Sequence, residues 1–315
     1  MASGHSVERI PVTHLSNGHD VELVVHVIRG SKEGPKLAMF GGVHGDEPLG
    51  TEAVRRSLAQ IDPEQLTGTI VAVPVANPYA FEAGKRVTPL DGLNLNRIIP
   101  GDSGGSLTEQ LAAKLAGILD DGVTHFIDYH SGGLLACVDY SYVHEVGAEM
   151  SRAYGCQVLY DHDSYPGSAT DYALKKGIRT MVSELGGGQH DTEYFLGKAV
   201  SGTLNVLREI GMYAGEASAP REDQVVVTTL STVRPSVGGL LQAEVGADRL
   251  GESLPAGTVL GRVIDPATFT ELEVLTAPYD PTYLILSRTA VTQVSPGDYG
   301  FMVADGATAK PAAQG

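Results

Sequence analysis

The chain has 315 residues, 42% hydrophobic and 19% charged, a globular balance long enough for one large core with a smaller unit beside it. Its formal net charge of −16 opposes binding to nucleic acid or anionic lipid, which are held by neutralising phosphates with Lys and Arg. No apolar run is long enough to span a bilayer, the opening MASGHSVERI lacks the basic and apolar regions of a secretory signal, and Cys137 and Cys156 match no zinc or redox spacing, so a cytoplasmic protein with two small core thiols is expected.

Residues 7 to 29 hold two strand-like runs broken by Ser16-Asn17-Gly18, and Asn-Gly between such runs predicts a hairpin. His26 falls inside the second run and reads as a packed residue. The stretch KLAMFGGVHGDEPLGTEAVRRSLAQ, residues 36 to 60, then describes a strand ending in Gly41-Gly42, a polar turn with His44 and Glu47, and an amphipathic helix opened by Pro48. The carboxyl ends of parallel strands border the crevice where α/β folds gather reactive groups. Spacing alone decides little, because H-x-x-E recurs at His5/Glu8, His19/Glu22 and His190/Glu193. A carboxylate at a helix N-terminus also has the helix dipole as sufficient reason to be there.

The run GTIVAVPVANPYAF predicts a strand delivering Asn77-Pro78 to a loop. Residues 82 to 106 lack apolar periodicity yet carry Arg86, Asn94, Asn96 and Arg97, and long loops inside compact domains are usually functional or disordered. A helix follows over Thr108 to Leu119, and then THFIDYHSGG, a strand ending in Asp128 and His130. Residues two apart in a strand share a face, which would set Asp128 beside His130, as a carboxylate that fixes an imidazole's tautomer must lie. Residues 143 to 176 alternate helix-like and Tyr-rich loop text. IRTMVSELGGG predicts a buried strand with Glu184 near its end, costly for a carboxylate unless it is paired or used. A helix over Thr192 to Ile210 leads to the linker GMYAGEASAPRED. From Gln224 short Val, Leu and Thr runs between Gly, Pro and Asp turns predict a small all-β barrel or sandwich, with a frayed tail after Asp305.

Two histidines and one carboxylate form the ligand set of a catalytic zinc that keeps a position for water. His44, Glu47 and His130 would supply it, and Glu184 is the candidate for an unligated carboxylate that takes the water's proton.

In order, GGVHGDE, Asn77-Pro78, DGLNLNRIIPG, IDYH and SELGG resemble the succinylglutamate desuccinylase/aspartoacylase family, a branch of the zinc carboxypeptidase fold, over roughly residues 20 to 210. The resemblance implies a mixed-sheet α/β catalytic domain over 1–215 and a β-rich barrel-sandwich domain over 222–306. The latter lacks the lysine motif that would carry a lipoyl or biotin group. It also implies that His44, Glu47 and His130 bind Zn2+, that Glu184 activates water, and that Arg97 with Asn96 holds the substrate's free carboxylate. Arg86 falls near the arginine that stabilises the oxyanion. Asn94 stands where the family often has aspartate, beside the carboxylate pocket. The tyrosine that carboxypeptidases of this fold use near the scissile bond has no motif here; Tyr165 is a candidate on position alone.

The activity implied is hydrolysis of a small N-acyl amino acid, with N-acetyl-diaminobutyrate as one match. A metallocarboxypeptidase or murein-peptide amidase on the same scaffold is the alternative, and a non-catalytic ligand-binding module is the alternative from another class. Nucleic acid and membrane are not expected partners, and a homo-oligomer is compatible with the sequence.

Overall fold

In the computed structural model, which describes residues 3–188 and 190–312, the opening hairpin forms as expected. Strands β1 (Gly4–His14) and β2 (Asp20–Arg29) pair antiparallel, and Gly18 takes φ 84° in the turn, a conformation that suits glycine. Next come β3 (Lys32–Phe40), helix α1 (Pro48–Ala59), β4 (Thr67–Val73), α2 (Pro78–Ala83), α3 (Leu107–Asp120) and β5 (His125–His130). They are followed by β6 (Ala136–Val143), α4 (Ala148–Tyr154), β7 (Val158–Asp161), α5 (Ala169–Lys175), β8 (Arg179–Gly186) and α6 (Thr192–Glu209). Strands β4, β3, β5 and β8 are neighbours in that order and parallel, so their carboxyl ends open on one edge.

Alternation along these strands sorts side chains onto two faces. Leu37, Met39, Ile127, Tyr129 and Met181 pack under α1, α4 and α6, and Cys156 is buried among them with Cys137. Ala38, Phe40 and Phe126 pack on the other face under α3 and α5. Asp128 and His130 continue the face of Phe126 past the point where the helices cover it. At the start of helix α3 the backbone N–H of Ser106 donates to Glu109 Oε2 at 2.8 Å, so the Glu109 side chain reaches back to cap the first turn.

The C-terminal segment is β-rich, with β9 (Val225–Val227), β10 (Leu230–Val233), β11 (Gly239–Ala243), β12 (Ser253–Leu254), β13 (Val259–Ile264) and β14 (Glu271–Thr276). It ends in β15 (Thr282–Arg288), β16 (Val291–Val294), β17 (Phe301–Asp305) and β18 (Lys310–Pro311). These strands divide between two sheets. β14, β13, β11 and β16 make a four-stranded antiparallel sheet, whereas β15, β17 and β10 continue the large sheet beyond β6. One joint is the antiparallel pairing of Leu286 with Val138 and Arg288 with Ala136, which satisfies backbone groups that an open edge at β6 would leave unpaired; a second is the parallel pairing of β9 with β7.

Two sequence expectations change here. The Tyr-rich text hides β7, and β6 is buried on both faces, with Asp139 and Ser141 alternating with Val138, Tyr140 and Tyr142. The tail is not frayed as far as Ala312: β9 had a free edge, and Lys310 and Pro311 pair with it. Among the described residues no helix is long and apolar enough to cross a membrane.

Candidate active site

The turn after β3 is shaped by close approach. Gly42 sits at φ 58°, and a Cβ on Gly45 would fall 1.9 Å from the carbonyl carbon of Ala80, so only glycine lets this turn lie against α2. Pro48 then opens α1 with Glu47 as its N-cap residue. The result is a buried His44 and Glu47 at the end of β3, beside His130 at the end of β5.

The three side chains converge. His44 Nδ1 lies 2.9 Å from Glu47 Oε1 and His130 Nδ1 lies 2.8 Å from Glu47 Oε2. One ligand atom from each residue fits within a 4.8 Å cluster. Burial pushes the His44 pKa down, which keeps this imidazole neutral. Burial also opposes a charge on Glu47, but His44 and His130 outweigh it and hold its carboxyl well below the ordinary range. For His130 burial is again overcome, by Asp128 and Glu47, and the pKa stands well above its usual value. Asp128, fully buried, reaches the far nitrogen of that ring, with Oδ2 3.2 Å from His130 Nε2. The other H-x-x-E pairs have no such setting: His5, Glu8, His19 and Glu193 are exposed.

The donor set of two imidazoles and a carboxylate with both oxygens engaged suits zinc, the hydrogen-bonded carboxylate behind His130 suits a ligating imidazole, and the buried His44 Nε2 has no partner.

Glu184 is opposite His130 in the β5–β8 register and partly exposed to the cleft. Burial, reinforced by Glu47 and Asp128 against the pull of His130 and Arg86, pushes its pKa up to about 8. Arg86 Nη1 donates to Glu47 Oε1 at 2.9 Å. Asn96 turns its amide nitrogen to 3.3 Å from His130 Nε2 while its oxygen accepts from Ala169 N. The exposed Arg97 stacks on Tyr165, 4.6 Å from Cζ to the ring centroid. Asn94 does something more local: its oxygen accepts from Asn96 N at 2.9 Å and caps the turn that presents Asn96 and Arg97.

These groups border a cleft of about 590 Å³ whose lining includes every sequence-predicted site residue except Asn94. Tyr165 lines it too. Sequence reasoning passed over Val138, Tyr140 and Tyr142, which alternate along β6 and form the floor beside Glu184; their period of two was the available signal. It also passed over Leu286, Arg288, Tyr299 and Met302 from the C-terminal segment, for which nothing local in the sequence points to a site.

The profile of the succinylglutamate desuccinylase/aspartoacylase catalytic domain matches residues 33–210. The N-alpha-acetyl-L-2,4-diaminobutyric acid deacetylase of Halomonas elongata is 29% identical over 277 residues, covering 83% of this chain and 80% of that protein. Among solved structures, the product-bound ectoine utilization protein EutE (DoeB) of Ruegeria pomeroyi superposes with a TM-score of 0.83 at 24% identity, covering 96% of this chain and 94% of that one. A succinylglutamate desuccinylase/aspartoacylase from Rhodobacter sphaeroides gives 0.81 at 22% identity, with 96% of each chain covered. At these identities the two structures speak for the fold.

Proposed function

The chain belongs to the succinylglutamate desuccinylase/aspartoacylase family, and on that footing we propose that it is a zinc-dependent amidohydrolase that removes a short acyl group from an N-acyl amino acid. The observation that carries the reading is the convergence of His44, Glu47 and His130 at hydrogen-bond distances in one buried cluster, with an unligated carboxyl, Glu184, on the adjoining strand. The fold of the zinc carboxypeptidases and a two-domain division near residues 215–222 belong to the same proposal. The Halomonas deacetylase makes Nα-acetyl-2,4-diaminobutyrate the first substrate to try.

A divalent ion held by His44, Glu47 and His130 would supply a Lewis acid that polarises the amide carbonyl and acidifies water. Glu184 takes a proton from the attacking water and passes it to the leaving nitrogen as the C–N bond breaks, so the products are a carboxylate and an amine. In the metal-free protein this carboxyl holds its proton at neutral pH. A nearby dication favours the ionised form that a base requires. Arg86, half exposed and beside the ligand carboxylate, is placed to donate to the carbonyl oxygen as negative charge develops there. Arg97 and Asn96 hold the substrate carboxylate, for which a planar guanidinium fork is well matched, and Asn94 acts through the turn it caps.

The test is metal analysis followed by a screen of acetyl, succinyl and formyl amino acids with zinc-loaded protein. The reading expects about one zinc per chain, held by His44, Glu47 and His130, and turnover of at least one such amide. Glu184→Gln should retain zinc and lose turnover. Full turnover by that variant, or zinc binding unaffected by His130→Ala, would overturn it.

A further inference from the structure

The register of the large sheet lays out the cleft floor in rows. Asp128, Val182 and Tyr142 form one row, His130, Glu184 and Tyr140 the next. Two residues further along β6, Val138 meets Leu286, and two further still Ala136 meets Arg288. Arg97 enters from the first row's end, where its carbonyl packs against Gly167 and its neighbour Asn96 bonds Ala169. Arg288 rises from the opposite end. From spacings of about 4.8 Å between strands and about 3.3 Å per residue, the Cα atoms of Glu184 and Arg288 are roughly 16 Å apart.

Arg288 is 9% exposed yet lines the cleft. Among the described residues its hydrogen bonding amounts to Nη2 donating to Gln293 O at 3.3 Å; its buried Nε has no partner. No carboxylate pairs with it at contact distance among those residues, and Asp298 acts on it only through longer-range attraction. Arg86, by contrast, is already engaged with Glu47. A guanidinium withdrawn from water without an anion beside it is costly. In a chain of net charge −16, with acidic groups abundant, this position is left open to the cleft instead of being neutralised.

We propose that Arg288, delivered by the C-terminal strand β15, is a specificity-determining residue that binds a carboxylate of the ligand at the end of the cleft remote from Arg97. The His130–Glu184 row lies between the two guanidiniums, so the scissile amide would sit between two anchored carboxylates. The second carboxylate can belong to the acyl group or to the side chain of the amine; Nα-acetyl-2,4-diaminobutyrate, with an acetyl group and a cationic side chain, carries neither and would leave Arg288 unused. This inference rests on the amidohydrolase reading for its kinetic test and is independent of it in a binding test.

The kinetic experiment compares zinc-loaded wild type, Arg288→Gln and Arg288→Lys on N-acetylalanine, N-acetylglutamate and N-succinylalanine. Losing a charge-assisted, partly desolvated contact should raise KM roughly ten- to a hundred-fold for whichever dicarboxylic substrate reaches Arg288. The KM for N-acetylalanine should stay within about two-fold, and the lysine variant should recover part of the loss. N-acetylglutamate responding assigns the site to the amine side, and N-succinylalanine responding assigns it to the acyl side. An equal KM rise on all three, or none on any, overturns the proposal. The binding experiment titrates succinate and acetate into wild type and Arg288→Gln by calorimetry. Succinate should bind the wild type more tightly and lose that advantage in the variant, and equal succinate affinity in both proteins overturns the proposal. Absence of turnover by wild type on every amide would count against the amidohydrolase reading alone, since the succinate titration still reports on Arg288.

Discussion

Asp128 Oδ2 lies 3.2 Å from His130 Nε2, on the side of the ring away from Glu47. The two residues share a strand face, so backbone geometry alone brings them together. With the outer nitrogen facing a fully buried carboxylate, the proton is drawn to Nε2 and Nδ1 is left for a ligand. Asp128→Asn keeps the shape but removes the charge. Zinc affinity measured by chelator competition should fall by about 10- to 100-fold, with little change in the circular dichroism of the fold. Unchanged affinity would show that Asp128 has no part in holding the ring.

In the metal-free protein Glu184 contributes a pH dependence of definite sign. Glu184 has a folded pKa of about 8 against an ordinary value of 4.5, so between those limits the folded state binds the extra proton. Its contribution is fully present below about pH 4.5 and is lost as pH rises toward about 8. His130, raised as well, pushes in the same direction as pH climbs through its folded value. In urea unfolding of chelator-treated protein from about pH 5 to about 8.5, the stability of wild type relative to Glu184→Gln should fall as pH rises. A relative stability that increased over the same interval would contradict the assignment.

Arg97→Lys tests the carboxylate anchor. Lysine keeps the charge but loses the planar fork and the stacking on Tyr165. Steady-state kinetics should show KM raised about ten-fold with kcat within a few-fold. Substrates whose carboxylate is converted to an amide should be poor with wild type and hardly affected further by the substitution.

How much of this could be read beforehand follows from where each signal lives. The hairpin, the strand-turn-helix around His44 and Glu47, and His130 at the end of β5 are local patterns of apolar period and turn residues, and they fold where expected. His130 could be joined to His44 only because parallel neighbours deliver their ends to one edge. Strand β6 carried a signal in the alternation of Val138, Tyr140 and Tyr142 with Asp139 and Ser141, although both of its faces turn out to be buried. Asn94 was expected in the carboxylate pocket, whereas its side chain is spent on the local cap of the next turn. Arg288 was beyond reach, since its importance depends on β15 pairing with β6, a contact between distant parts of the chain with no short-range mark.

Away from the cleft, Lys198 and Asp139 form a largely buried ion pair, their side chains 13% and 12% exposed. Breaking such a pair leaves one charge in a poorly solvated place, so Asp139→Asn should destabilise the protein by about 3–5 kcal/mol. Replacing both with apolar residues of similar size should be far milder. Thermal unfolding of the single and double variants reads the difference, and a single variant as stable as wild type would mean that water reaches the pair.

Because the cleft floor crosses from β6 to β15, the stretch matched by the family profile is not a self-sufficient machine. A shortened chain stopped at residue 210 would keep every suggested zinc ligand but bare the flank of β6 as a sticky, ladder-ready ribbon. Such a fragment should clump instead of turning over substrate, and supplying the missing half as a separate polypeptide should restore both solubility and a complete floor.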